Sequence, residues 1–331
     1  MKNLVSTSFI IYGMLYITMA TAQSLNTIPL DADIYYAYGT QKNIIIEGRI
    51  IKKRNSPEAT AEDSKLTNFW RNLKRLVNDE KKEHEGTNII LGKKTYSVKT
   101  DKEGYFNLET NTPDGLKEGW NTFLVNLTDD TQIEGNLFIA PKDNQIGIIS
   151  DFDDTVIDSD VSNKQSMLKK SLLQNYKQRK PVDGMPALYQ SITQLNPQPL
   201  STPVFFVSAS PRQIQKGIIN FLAYNKFPKS LVVTKTITGK NKYSLTDHKD
   251  YKFNKIQEIF ERLPQVKFIL VGDDGESDPE SFSKLQKIYA NRIIDVWIHQ
   301  VHPDINMARY PNQKLFQNSV DHLTLPTMEQ P

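Results

Sequence analysis

Hydrophobic residues in the first part of the chain occur in short runs that are separated by turn residues. The runs have the length and composition of β-strands, and they cover residues 44–51, 96–100, 105–108, 122–127 and 132–139. Residues 101–104 end in Gly104 and predict a hairpin turn, because glycine adopts a positive φ without steric cost. Short strands at this spacing predict a small β-sandwich domain over residues 30–142.

Residues 64–80 interrupt these strands with a helical pattern. Apolar residues recur there at helical spacing with basic residues between them, and they include Phe69 and Trp70. Such an amphipathic helix fits two arrangements, since it can cover one face of the sandwich or rest on a membrane surface. Polar and acidic residues dilute the basic face, which favours the first arrangement.

The pattern changes after residue 143, where strand-like runs alternate with helical ones. Strands are predicted over residues 145–150, 203–208, 266–271 and 293–298, and helices over 166–176, 186–195 and 253–263. This alternation predicts an α/β domain over residues 143–310, and a C-terminal tail then follows over residues 311–331.

Acidic residues follow two of these buried strands directly. Asp151, Asp153 and Asp154 come after the first strand, and Asp273, Asp274 and Asp278 come after the third. Carboxylates this close repel one another, so a cation is needed to keep them ionised together, and an all-oxygen donor set favours Mg²⁺ over Zn²⁺. Open α/β sheets place their sites at the carboxyl ends of strands, where these residues lie.

The first acidic cluster is open to two other interpretations. A calcium loop of the EF-hand type needs glycine at its sixth position and glutamate at its twelfth, but Val156 and Ser162 occupy those positions. A solvated acidic turn is the common alternative for such a cluster. It does not account for the second cluster at another strand end.

A hydroxyl and a lysine complete the candidate set. Ser208 ends the strand over residues 203–208, and Ser210 is predicted to cap the helix that follows Pro211. Lys252 stands just before the helix predicted over residues 253–263. Free backbone N–H groups at a helix start can bind an anion, which suits a phosphoryl group.

The order of these motifs resembles the four-motif signature of haloacid-dehalogenase phosphatases. More narrowly, residues 151–156, 181–189, 203–211, 252–256 and 268–280 resemble the catalytic domain of the actin-patch-protein family of phosphatidate phosphatases, and residues 38–40, 48–50 and 100–106 resemble the β-domain that precedes it in bacterial members. The resemblance implies a Rossmann-like domain and Mg²⁺-dependent removal of phosphate from phosphatidate.

The resemblance also implies a role for each motif residue. Asp151 corresponds to the nucleophile and Asp153 to the general acid and base. Ser208 and Lys252 correspond to the phosphate-binding residues, with Lys252 preferred over Lys249 and Lys255. Mg²⁺ would be held by Asp151, the backbone carbonyl of Asp153 and Asp273, together with Asp278 or Asp274.

Two positions depart from the family pattern. Asp274 stands where the family usually has serine, which adds charge near the metal without removing a ligand. Arg212 replaces a common aromatic residue after the serine motif, which makes it a candidate for contact with the leaving group of the substrate.

The composition and the amino-terminal segment restrict the class of protein. The formal net charge of +3 does not suggest a nucleic-acid-binding protein, and the absence of cysteine excludes disulfides and thiolate chemistry. Residues 1–22 carry Lys2, an apolar stretch and a small-residue cleavage site that ends at Ala22, as in a secretory signal peptide. Export to the periplasm or the medium is therefore expected, with an uncleaved anchor as the alternative.

The sequence thus predicts an exported phosphatase whose substrate is phosphatidate. Two other functions remain open at this point. One is a phosphatase for soluble phosphomonoesters, because the motif residues act on the phosphoryl group whatever it is attached to. The other is a non-catalytic protein that binds lipid or phosphate on the same scaffold.

Overall fold

The structure is a computed structural model that describes residues 29–53, 57–77, 86–144, 146–153, 155–157, 174–236, 248–275, 277–302, 309–317, 320 and 323. The predicted signal peptide, Asp154 and most of the helix predicted over residues 166–176 lie outside these residues. Within the described part, no helix is both long and apolar enough to cross a membrane.

The amino-terminal domain is one mixed sheet of seven strands with a helix between the second and third. The strands run in the order β4-β3-β6-β7-β1-β2-β5. They are β1 (Leu30–Gly39), β2 (Asn43–Lys52), β3 (Gly86–Leu91), β4 (Lys94–Lys99), β5 (Tyr105–Asn111), β6 (Gly119–Asn126) and β7 (Gln132–Ile139), and the helix is α1 (Lys65–Val77).

This sheet curls so that its edge strands β4 and β5 approach each other around one apolar core. The predicted two-layer sandwich is not confirmed, because all seven strands are hydrogen-bonded into a single sheet. The alternation of apolar and polar residues along a strand determines which face of the strand is buried. A sandwich and a curled sheet both bury one face of each strand, so the pattern does not distinguish them. Strands β1 and β7 pair in parallel at Tyr38–Phe138 and Gly39–Ile139. This pairing joins strands β4, β3, β6 and β7 to strands β1, β2 and β5.

The five strands predicted for this domain appear as β2 and β4–β7, whereas β1 and β3 were not predicted. Acidic residues within β1, Asp31 and Asp33, obscure its pattern. The predicted hairpin turn is confirmed: Gly104 has φ 81°, and its N–H donates to the carbonyl oxygen of Asp101 at 3.0 Å.

The second domain is a six-stranded parallel sheet in the order β10-β9-β8-β11-β12-β13. The first strand along the chain is central, and the chain order reverses between β8 and β11, as in doubly wound sheets. The strands are β8 (Ile146–Ser150), β9 (Val204–Pro211), β10 (Leu231–Lys235), β11 (Lys267–Asp273), β12 (Ile293–His299) and β13 (Lys314–Phe316).

Helices cover both faces of this sheet. Helices α2 (Met185–Thr193) and α3 (Gln215–Tyr224) pack on one face, and α4 (His248–Arg262) and α5 (Asp278–Ile288) pack on the other. The second core also contains Tyr35, Tyr36, Tyr38 and Phe138 of the first domain, so the two domains share an apolar interface.

Part of the predicted C-terminal tail belongs to this domain. Strand β13 extends the parallel sheet at its edge, and Phe316, Val320 and Leu323 are buried in the core on the α2 and α3 face. The domain boundary at residue 310 must therefore be moved toward the carboxyl terminus. Three residues are too short a run to be recognised as a strand from their pattern.

Helix α1 packs on the α/β domain, which differs from its predicted position over a face of the β-domain. Asn68 is fully buried, and its amide donates to Gln178 Oε1 at 2.7 Å. Asn175 Nδ2 in turn donates to Asn68 Oδ1 at 3.2 Å. The helix turns Leu66 and Trp70 outward, where they are 64% and 60% exposed.

Candidate active site

Three carboxylates meet at the carboxyl ends of the two central strands. Asp151 directly follows β8, Asp273 ends β11 and Asp278 begins α5. All three are buried, and one oxygen of each lies within 4.8 Å of the others. Strands β8 and β11 are neighbours at the point where the chain order reverses, so the topology itself brings the two acidic clusters together.

A glycine allows the start of α5 to approach β11 this closely. A Cβ atom built on Gly272 would lie 2.6 Å from Asp278 Oδ2 and 2.8 Å from Asp278 Cβ. The close approach lets the backbone N–H of Asp273 face Asp278 Oδ2 at 3.4 Å. Any larger residue at position 272 would therefore displace Asp278 from the cluster.

Lys252 and Thr155 link the carboxylates to one another. Lys252 Nζ lies 2.9 Å from Asp151 Oδ1 and 3.2 Å from Asp278 Oδ1. The Thr155 hydroxyl lies 3.2 Å from Asp151 Oδ2 and 3.0 Å from Asp273 Oδ2. Lys252 lies within α4 rather than before it, since the helix begins at His248. The buried ammonium favours the ionised form of both carboxylates that it contacts.

The triad has the chemistry of a site for a hard cation. Three carboxylates carry more negative charge than Lys252 alone balances, and buried charge is costly unless it is paired or coordinates a metal. Their donor atoms are all oxygens, which suits Mg²⁺ better than Zn²⁺. The residues present therefore fit a divalent metal ion.

Asp153 lies beside the triad and is held by two hydroxyl groups. Ser208 and Ser210 donate to Asp153 Oδ2 at 3.0 Å and 2.7 Å. The backbone N–H of Ser210 donates to Ser208 Oγ at 3.0 Å, which fixes the two serines relative to each other. Ser210 was predicted to cap a helix, but β9 continues to Pro211 and the helical turn begins after it.

The backbone of Asp151 is supported from behind by buried groups. Ser150 Oγ donates to the carbonyl oxygen of Asp151 at 2.5 Å, and the Tyr189 hydroxyl donates to Ser150 Oγ at 2.9 Å. Burial raises the pKa of Tyr189 well above its usual value, so this phenol stays a donor at any physiological pH. Tyr189, Ser150 and Thr155 were not predicted as supporting residues, because the Tyr189–Ser150 and Thr155–Asp273 contacts join segments that are distant in the chain.

Asp274 is not part of the triad. Its Oδ1 accepts from the backbone N–H groups of Val301 and His302 at 2.7 Å and 2.9 Å, and its own N–H donates to the carbonyl oxygen of His299 at 3.1 Å. This carboxylate therefore holds the loop that follows β12.

Arg212 lies between the two domains. Arg212 Nη1 lies 2.6 Å from Glu47 Oε1, and its guanidinium lies 4.5 Å from the ring centroid of Tyr35 and 5.4 Å from that of Tyr105. Arg212 Nε donates to the carbonyl oxygen of Thr234 at 3.2 Å. The side chain is 4% exposed, so the structure gives it an interdomain contact rather than a position open to a substrate.

The pKa values of this pair agree with a stable ion pair. Burial by itself would raise the pKa of Glu47, but the charge and hydrogen bond of Arg212 and a hydrogen bond from Tyr36 together lower it. Burial likewise opposes the charge of Arg212, and Glu47 reverses that effect and raises the pKa of Arg212. Both groups are therefore charged near neutral pH.

The region that contains these residues matches a known protein family. The family model described as phosphatidate phosphatase APP1, catalytic domain, matches residues 146–300. This range includes Asp151, Asp153, Lys252, Asp273 and Asp278.

Two curated proteins are similar to the chain. Phosphatidate phosphatase APP1 of Saccharomyces cerevisiae is 29% identical over 186 residues, which cover 53% of this chain and 30% of that protein. An uncharacterized protein of Schizosaccharomyces pombe is 25% identical over 218 residues, which cover 63% of this chain and 35% of that protein. The chain thus spans about a third of the length of these relatives.

Solved structures add little to this picture. A carbohydrate acetylesterase from Xanthomonas citri is 9% identical with a TM-score of 0.28, over 82% of this chain and 60% of that chain. Similarity at this level supports no inference about function.

Proposed function

We propose that the protein is a Mg²⁺-dependent phosphatase with a haloacid-dehalogenase-type, Rossmann-like catalytic domain, and that it hydrolyses phosphatidate to diacylglycerol through an aspartyl-phosphate. The observation that carries the proposal is the buried triad of Asp151, Asp273 and Asp278 around Lys252, with Asp153 beside it. It lies within the residues that match the phosphatidate phosphatase catalytic domain.

In the first step, a carboxylate oxygen of Asp151 attacks phosphorus and the bond between phosphorus and the leaving oxygen breaks. Asp153 gives its proton to that oxygen, so the product leaves as a neutral alcohol. The hydrogen bonds from Ser208 and Ser210 support this assignment, because they fix the Asp153 carboxyl group in one orientation.

In the second step, a water molecule attacks phosphorus and the bond to Asp151 breaks. Asp153 takes the proton of this water, which returns both carboxyl groups to their starting state. Mg²⁺ held by Asp151, Asp273, Asp278 and the carbonyl oxygen of Asp153 would neutralise the phosphoryl charge, so that one anion can approach another. Lys252 would hold phosphoryl oxygens, and Ser208 would do so by turning its hydroxyl proton from Asp153 to the substrate. Asp274 is left out of the proposed set because its carboxylate holds the loop after β12, and Arg212 because it is buried between the domains.

The proposal includes action at a membrane surface after export of the protein. Leu66 and Trp70 lie four residues apart on α1, so they share one face, and both are largely exposed. Phe69 contacts Trp70 edge to face, with ring centroids 5.5 Å apart. Exposed apolar and aromatic residues of this kind can bind the boundary between headgroups and acyl chains.

Phosphate release from phosphatidate in mixed micelles tests the activity, with soluble phosphomonoesters as competitors. The variants Asp151→Asn and Asp153→Asn should each lower kcat by roughly a thousandfold, because each removes a chemical step. Asp143→Asn, at an exposed carboxylate before the amino end of β8 and therefore away from the site, should keep the wild-type rate. Near-normal turnover by Asp151→Asn would refute the nucleophile assignment.

The membrane contact and the substrate are tested separately. Leu66→Ala with Trp70→Ala should weaken binding to phosphatidate-containing vesicles while leaving turnover of a small soluble ester unchanged. If soluble phosphomonoesters give a higher kcat/KM than phosphatidate, the protein is a general phosphatase instead.

A further inference from the structure

A cavity of about 200 Å³ opens next to Asp153. Its wall is composite: α1 and the residues before it come from the amino-terminal domain, and α3 and the segment over residues 174–179 come from the α/β domain. Asp153 and Phe152 connect the cavity with the candidate active site.

The α1 side of the wall is fixed by polar contacts. Arg71 Nη1 lies 2.7 Å from Asp63 Oδ2 and donates to Asn68 Oδ1 at 3.2 Å. Asn175 Nδ2 donates to Asp63 Oδ2 at 3.1 Å and to the carbonyl oxygen of Thr60 at 2.7 Å. Helix α1 is therefore bound to the segment opposite it, and the cavity has a defined shape.

The wall combines cationic, amide and apolar groups. Arg71, Arg179 and Lys216 contribute positive charge, and Ile218 and Phe221 contribute apolar surface. Arg71 Nη1 is paired with Asp63 and Asn68, and its Nε is buried without a hydrogen-bond partner among the described residues. The cationic and amide groups of this wall suit the oxygen atoms of a bound molecule.

We propose that this cavity binds the alcohol part of the substrate, as a glycerol-sized group that carries hydroxyl or ester oxygens. The proposal rests on the proposed function, in which Asp153 protonates the leaving oxygen and must therefore face the leaving group. Long acyl chains remain outside, because the cavity is smaller than the roughly 300–1,000 Å³ of ordinary ligand pockets. The amino-terminal domain thus takes part in substrate selection through α1.

Gly217 offers a direct steric test. It lies in α3 and lines the cavity, and a Cβ atom built on it would meet no heavy atom within 4 Å. A Cβ atom at position 217 therefore meets no clash, and we expect the side chain of Gly217→Leu to occupy the cavity. Gly217→Ala tests the change of backbone alone. Ala223→Leu is the matched control, since it adds an apolar side chain at an exposed position of the same helix that does not line this cavity.

The assay compares two soluble substrates with leaving groups of different size, dibutyryl phosphatidate and acetyl phosphate. Gly217→Leu should lower kcat/KM for dibutyryl phosphatidate by roughly tenfold or more, mainly through KM, and should change kcat/KM for acetyl phosphate by less than about twofold. Gly217→Ala and Ala223→Leu should behave like the wild type. If thermal melting shows that Gly217→Leu is unfolded, Asn220→Leu, on the same wall, replaces it with the same expectation.

Each outcome separates the two proposals. Equal losses with both substrates, or no loss with dibutyryl phosphatidate, would overturn the cavity assignment while leaving the phosphatase intact. If the wild type released phosphate from neither substrate, the proposed function would fail, and the cavity assignment would fail with it.

Discussion

Replacement of Arg212 by methionine tests whether this residue joins the two domains or contacts a substrate. Methionine keeps much of the apolar volume beside Tyr35 but removes the charge that faces Glu47. At 2.6 Å, the gross attraction of the pair is about 6 kcal/mol with an effective dielectric constant of about 20. Desolvation of both groups offsets part of this attraction, so the gross figure is not the net stability.

Arg212→Met should lower the free energy of unfolding by more than the ion pair contributes to it, because Glu47 remains buried without its cation. Breaking a buried ion pair costs about 3–5 kcal/mol. Glu47 is 17% exposed, which places the expected loss near the lower end of that range. The contact of the guanidinium with Tyr35 adds about 0.5–2 kcal/mol to the loss. Arg212→Met should therefore lower the free energy of unfolding by roughly 3–5 kcal/mol.

Urea unfolding followed by circular dichroism measures this difference. Arg262→Met is the matched control, since Arg262 also pairs across the domains, with Glu109 at 2.7 Å, but Glu109 is 62% exposed. An exposed pair contributes only about 0–1 kcal/mol. Glu47→Gln combined with Arg212→Met should cost less than the sum of the single changes, because the double variant leaves no unpaired charge.

A different result would refute this account of Arg212. If Arg212→Met unfolded at the same urea concentration as the wild type but changed the relative kcat/KM of different phosphomonoesters, Arg212 would be a substrate residue, as its sequence position suggested.

Three further predictions concern the metal, acid stability and processing. Mg²⁺ should raise the melting temperature by about 5 °C at saturating concentration, and Asp278→Asn should abolish this shift. An unchanged melting temperature of the wild type would argue against the metal site. Activity lost with a chelator should return with Mg²⁺ rather than with Zn²⁺ or Ca²⁺. A hydrogen bond from Arg71 lowers the pKa of Asp63 from 3.8 to about 2. The contribution of Asp63 to stability is therefore complete above pH 3.8 and disappears as the pH falls toward 2. Asp63→Asn should make the free energy of unfolding depend less on pH over that window. Mass spectrometry of the exported protein should find Gln23 at its amino terminus, whereas an intact Met1 in the membrane fraction would indicate an anchor.

Several local elements of the α/β domain could be predicted from the sequence, whereas β10, β13 and α5 were not predicted. Strands β8, β9, β11 and β12 and helix α2 follow the predicted runs to within a few residues, since burial on both faces makes such strands continuous and apolar. The meeting of Asp151 with Asp273 also follows from the sequence, because parallel strands place their carboxyl ends at one edge of a sheet. The roles assigned to these residues remain predictions until the variants are measured.

Only the tertiary structure decided which acidic residues after β11 enter the site. Asp273 and Asp274 are adjacent in the chain, yet successive side chains at a strand end point in different directions, and Asp274 binds the backbone after β12. Asp278 reaches the triad because Gly272 admits the start of α5.

The sequence determined a two-part chain with an acidic edge on its second sheet, because periodicity and local motifs are properties of neighbouring residues. The curled form of the first sheet, the position of α1 beside Asp153 and the burial of Arg212 against Glu47 depend on contacts between segments far apart in the chain. Those contacts are selected by the packing of two complete domains, and no single stretch of sequence carries that information.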